Sequence, residues 1–257
     1  MIETQFLNSL LVAIFVGGAG GYLGSLMITK KMALSGDALG HLALPGIAIG
    51  LLYNLNLTCG AFITLALGIL FIWRLEIKTK ITTEALTGIV FTTSTAAAFL
   101  FLKESDLERA LIGDITSIGR KELVLSVIML CAVYLIIRAI YKDMILASLS
   151  EDLAKVEKVK INRNNLVFLL SVAVIVALGI KVVGSLLIGA LVIIPAATAK
   201  NISRNMRQYS YGGAVFGILG GALGMWLYKI TGLPAGPLII LTSTLFFVIS
   251  VALRTGN

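Results

Sequence analysis

The chain is 257 residues long, 58% hydrophobic and 13% charged, with a mean hydropathy of +0.99. Water-soluble domains are about half apolar and a quarter charged, so this composition excludes one and places most of the chain in lipid. The formal net charge of +8 does not indicate a nucleic-acid binder, because the basic residues form short clusters between apolar runs, as in the loops of membrane proteins.

Crossing a bilayer takes about 20 apolar residues per helix, and lipid offers backbone N–H groups no partner, so each long apolar run is predicted to be a helix. In chain order the runs are 6–28, 33–53, 57–74, 84–102, 121–141, 164–180, 183–199, 210–228 and 236–253. Eight or nine spans result, because only Lys181 divides 164–199, whose second half is short and contains Pro195. The expected fold is all-α, a polytopic transmembrane helix bundle in which 1–257 form a single domain. The first run follows Glu3 rather than a basic residue and lacks an A-x-A pattern, so it reads as a span and not a removable leader.

With the N-terminus outside, fifteen of the 21 basic residues fall in cytoplasmic segments. The other six are Lys103, Arg109, Arg120, Lys121, Lys181 and Lys229, and the first four share a loop with Glu104, Asp106, Glu108, Asp114 and Glu122. Cys59 and Cys131 have no CxxC spacing and are expected to be core side chains. Glycines recur four residues apart at Gly17 and Gly21, Gly20 and Gly24, and Gly213, Gly217 and Gly221, which suits close helix packing within one bundle.

Asp37 stands apart inside a span, in GDALGHLALPG, and His41, the single histidine of the chain, follows four residues later. Positions i and i+4 share a helix face, so carboxylate and imidazole can meet at one point. His41 lies ten residues past Lys31, about 15 Å into a core of about 30 Å, near the depth where transporters hold substrate. These donors suit zinc or manganese, and the lack of a thiolate argues against copper(I). Two readings of the pair stand side by side: metal ligands, or hydrogen-bonding glue between helices. Pro45, followed by Gly46, cannot donate to the His41 carbonyl, so a kink is expected beside the pair. Two ligands are half of a tetrahedral shell, and a homodimer joining both copies at its axis would supply four.

At 148–162, SLSEDLAKVEKVKIN reads as a short amphipathic helix. Ser150 can cap it, Glu151 and Asp152 suit its first turn, and Leu153, Val156 and Val159 form an apolar stripe.

GDALGHLALPG resembles the D-A-L-S-H-x-x-L-P-G signature of the metal-ion permease family of ATP-binding cassette importers, which serve zinc, manganese and iron. The stretch from Lys181 to Gln208, with Gly184 and the run Pro195, Ala196, Ala197, Thr198, is similar to that family's V-G-x-L-L-x-x-A-L-x-x-x-P-A-A-T-A block. LPAGPLIIL, Leu233 to Leu241, is similar to its closing span. The resemblance runs along the whole chain and is closest to the zinc-uptake permeases. It implies a type II importer permease in a bacterial plasma membrane, with Asp37 and His41 as the metal site, and with manganese or iron as alternatives to zinc. It implies three partners: a cytoplasmic ATPase, an extracytoplasmic metal-binding protein and a second copy of the chain. It also makes 148–162 a coupling helix, with Glu151, Leu153 and Ala154 at the docking positions and Lys158 where glycine is usual. Gly40 replaces the usual Ser or Ala, which should loosen the helix, and Thr92 stands where some zinc permeases carry a further histidine.

No G-x-x-x-x-G-K-[ST] loop occurs, so ATP is hydrolysed by a partner, and the chain is expected to be a conduit without a resident cofactor and not an enzyme. An intramembrane metalloenzyme would need more ligands than this pair, and H-E-x-x-H is absent. A proton- or sodium-driven transporter would be expected to show further intramembrane carboxylates.

Overall fold

The structure, a computed structural model, describes residues 2–53, 57–101, 111 and 118–254. Among the described residues there are helices and no strands. In order they are α1 (Ile2–Thr29), α2 (Ala33–Leu42), α3 (Leu44–Leu52), α4 (Leu57–Thr79), α5 (Thr83–Phe101), α6 (Arg120–Leu149), α7 (Glu151–Val156), α8 (Ile161–Val183), α9 (Ile188–Ile202), α10 (Met206–Thr231) and α11 (Ala235–Arg254). Among the described residues six helices, α1, α4, α6, α8, α10 and α11, are long and apolar enough to cross a bilayer, and α9 is a shorter apolar helix of 15 residues. The expected outer-loop residues Lys103, Glu104, Asp106, Glu108, Arg109 and Asp114 lie outside the described residues.

The core forms where α1 and α8, both largely buried, meet α9, with α10 and α11 packed on α9 and with α6 and α10 on α1. The outer helices turn apolar side chains outward, among them Ile63 and Leu67 of α4 and Ile128 and Leu135 of α6. Such a surface is stable against hydrocarbon and not against water. Cys59 and Cys131 belong to it: both are exposed, contrary to the core position expected of them, and neither forms a disulfide.

The glycine spacing is spent inside the chain. Gly17 lies on Gly217 and Gly21 on Gly213 along antiparallel α1 and α10, while a Cβ on Gly221 would stand 2.7 Å from the Ala13 carbonyl oxygen. Gly24 lies against the Val192 carbonyl of α9 in the same manner. Backbones at this separation have no room for a side chain.

Two breaks shape the middle of the bundle. The expected single span 33–53 is two helices, divided at Ala43, with Pro45 in the first turn of α3, where its missing N–H leaves no bond unmade. The division of 164–199 falls at Gly184 and not at Lys181, which sits in the last turn of α8. Gly184 has φ 84°, ψ 167°, a conformation closed to residues with a Cβ, and so ends the helix.

Of the expected helix over 148–162 only Glu151–Val156 forms as α7, because 148–149 end α6, 161–162 open α8 and Val159 falls in the closing turn. The N-cap of α7, Ser150, accepts from the Leu153 N–H at 3.3 Å. At its other end Val159 N–H donates to Ala154 O at 2.9 Å and Lys158 N–H to Lys155 O at 3.0 Å, a Schellman closure with Lys158 at φ 56°. The position that resembles a glycine in the family is thus a left-handed turn filled by lysine.

Candidate metal site

Asp37 and His41 lie one turn apart on α2. Asp37 is exposed and, among the described residues, makes no hydrogen bond or ion pair; His41 is half-buried, with its ring 5.3 Å from that of Phe91 on α5. Hydrogen-bonding glue requires a bonded partner, and the carboxylate has none among the described residues. Among the same residues no group of three or more His, Cys, Asp and Glu side chains gathers, so the pair offers two donors per chain.

α9 fixes the backbone beneath these side chains. A Cβ on Gly189 would stand 2.6 Å from Asp37 Cα, and one on Gly40 would stand 2.5 Å from the Ser185 carbonyl oxygen and 2.6 Å from Ile188 Cγ2. The two sequence blocks, 37–46 and 184–198, are therefore one packed unit. Gly40 does not loosen α2; it lets α2 approach the turn after Gly184. The third block joins through Gly236, where a Cβ would lie 2.8 Å from the Val183 carbonyl oxygen.

Beside the pair, Gly46 of α3 lies against Gly60 of α4, seating the helix that follows Pro45. Further along α9, Pro195, Ala196 and Thr198 are buried, with the Thr198 hydroxyl donating to Ile194 O at 2.8 Å, and Ala197 is half-exposed. Of these, Ala196 packs against Gly24 of α1 and Gly213 of α10. Thr92 is exposed, and its hydroxyl is turned back on its own helix, 3.0 Å from the carbonyls of Gly88 and Ile89.

On α7, Glu151 and Leu153 are exposed, whereas Ala154 is fully buried, where α7 packs on α6. At the opposite end of the bundle Lys181 pairs with Glu122 at 2.6 Å, joining the last turn of α8 to the first turn of α6. Each charge there opposes the helix-end dipole it sits on.

The buried α1–α8–α9 seam, the broken α2–α3 and α8–α9 segments and the six long apolar helices define a polytopic helix bundle of membrane-protein type. The chain matches the ABC 3 transport family over residues 3–254 and belongs to it. It is 29% identical to the high-affinity zinc uptake system membrane protein ZnuB of Haemophilus influenzae, over 99% of both chains. It is 27% identical to the manganese transport system membrane protein MntC of Listeria monocytogenes, over 97% of this chain and 91% of the other. Among solved structures it superposes on a chain of PsaBC from Streptococcus pneumoniae in complex with Fab with a TM-score of 0.82 at 28% identity, covering 97% of this chain and 95% of that one. A putative metal-chelate type ABC transporter in an inward-facing conformation shares the fold, with a TM-score of 0.73 at 20% identity, over 96% of this chain and 85% of the other.

Proposed function

We propose that this chain is the membrane-spanning permease of an ATP-driven importer for a divalent transition metal, and that Asp37 and His41 hold the ion midway across. The observation that carries the assignment is the Asp37 carboxylate, without a partner among the described residues and exposed one turn from the half-buried His41 on a helix broken just beyond it. A carboxylate at membrane depth needs a counter-charge, and a transported cation supplies one. A second copy placed against the α2 and α5 face would bring two carboxylates and two imidazoles together, which neutralises a divalent ion in a four-coordinate shell. Zinc is the cargo favoured by the block around Gly184 and Pro195; manganese is the alternative, since the same donors accept it and the relatives are named for both metals.

Energy comes from a separate ATPase that engages the exposed Glu151 and Leu153 of α7, while Ala154 holds α7 to the bundle. A metal-binding protein delivers the ion from outside, and the bundle alternates between outward and inward opening. The N-terminus lies outside and the short basic loops inside.

The test uses vesicles containing this chain and its ATPase. Asp37→Ala and His41→Ala should each abolish zinc uptake while basal ATP hydrolysis survives. Uptake unchanged in both variants would sink the ligand assignment, and uptake of manganese undiminished by excess zinc would replace zinc as cargo.

A further inference from the structure

A polar cluster occupies the end of the bundle where α1, α4, α5, α6 and α8 converge. Lys30, the residue after α1, donates from Nζ to Asn165 Oδ1 at 2.6 Å and stands 5.5 Å over the Phe168 ring. Asn165 Nδ2 donates to Glu76 Oε2 at 3.0 Å, and the Thr83 hydroxyl donates to the other oxygen of that carboxylate. Because its amide N–H is committed to Glu76, Asn165 presents its oxygen to Lys30. Two further bonds fasten the same turn of α8: Trp73 Nε1–H to the Asn162 carbonyl at 3.0 Å, and Asn164 Nδ2 to Asp143 Oδ2 at 3.1 Å.

Apolar residues of similar size would close this junction without the desolvation cost of an ammonium and a carboxylate, so packing alone does not call for the cluster. Burial pulls the Lys30 ammonium below its ordinary range, and the Glu76 and Glu151 carboxylates oppose that by favouring its charge. Glu151 is the first residue of α7.

The chain path gives the cluster its meaning. α7 joins α8 through residues 157–160, closed by the Schellman turn at Lys158. Lys30 joins α2 through Lys31 and Met32, and that turn is fixed in the same way, with Met32 N–H donating to Met27 O at 2.8 Å and Lys31 at φ 59°. Two short, hydrogen-bonded connectors and one side-chain pair therefore link α7 to the helix carrying Asp37 and His41, alongside the direct packing of α8 on α2.

We propose that the Lys30–Asn165 pair is the positioning link through which a displacement of α7 reaches α2 and the Asp37–His41 face. The link rests on the transport reading above, and its test separates the two. A charge-assisted bond with fixed orientation transmits displacement where an apolar contact would slide.

The experiment measures zinc transported per ATP hydrolysed by the permease with its ATPase in vesicles. Lys30→Met should lower this ratio about tenfold, while ATP hydrolysis, co-purification of the ATPase and zinc binding by the solubilised complex stay at wild-type levels. Lys30→Arg should restore at least half of the ratio. Asn165→Leu should match Lys30→Met, and the double variant should be no worse than either, because both remove one link. Where Lys30→Met fails to assemble, Asn165→Ser supplies the measurement. An unchanged ratio, or losses in the double variant that multiply, would overturn the link, and so would uptake and hydrolysis falling together with the amount of intact complex in Asn165→Ser as well as in Lys30→Met. The ligand reading stands or falls separately: Asp37→Asn should lose zinc binding, which Lys30→Met should keep.

Discussion

Gly40 shows what one missing methyl decides. Its neighbour across the interface is the Ser185 carbonyl, a backbone atom in a turn fixed by Gly184, so a side chain cannot be accommodated by a rotamer change. Gly40→Ser is expected to cost about 1–3 kcal/mol by overpacking, read as a lower thermal midpoint of the detergent-solubilised chain. A midpoint equal to wild type would mean that α2 can move off the turn. From the sequence, glycine in place of Ser or Ala reads as added flexibility, because helix propensity is a local property; the contact that gives it the opposite meaning is made with Ser185, far along the chain. Asp37 and His41 were legible as a pair for the converse reason, since i and i+4 geometry is local. That Asp37 is exposed without a partner among the described residues follows from which helices pack on α2, and residue spacing carries no record of that.

At the scale of elements, apolar runs marked where helices lie and missed where they end. α4 continues to Thr79 and α6 to Leu149, several residues beyond their apolar runs, since backbone bonding continues through polar turns that solvent or a partner can satisfy. Glu76 and Asp143, which lie beyond the apolar runs 57–74 and 121–141, are therefore helical residues facing the asparagines of α8. The glycine spacing on α1 and α10 was legible, but not its partner. Because Gly217 lies against the Gly17 backbone, Gly217→Val should part the two helices and cost on the order of 3 kcal/mol or abolish the folded chain. The change would appear as a collapse of the monodisperse peak in size-exclusion chromatography. The same substitution at Gly232, where φ is 69° but a Cβ would meet nothing within 4 Å, should cost backbone strain alone.

Over the whole molecule, the face around Asp37 matters because it leaves an ionisable side chain of a helix read as lying at membrane depth open to a neighbour. Leu34, one turn before Asp37 and 72% exposed, shares that face. The proposed pairing of two copies predicts that Leu34→Cys, in a background with Cys59 and Cys131 replaced by serine, forms a disulfide between copies on mild oxidation in membranes. Leu135→Cys on the outward side of α6, 62% exposed, serves as the control and should remain unlinked. Linking at Leu135 and none at Leu34 would place the second copy elsewhere.

Hydropathy and helical period are properties of consecutive residues, and they were enough to read a helical membrane protein whose one histidine lies a helical turn from Asp37. Three features emerged only from the packed chain: the blocks around Asp37 and Gly184 are one unit, Lys30 is tied to Asn165, and Ala154 faces inward while Leu153 faces out. Each depends on which backbones come within a side chain's width of one another, and that distance is set by glycines and helix breaks far apart in the chain.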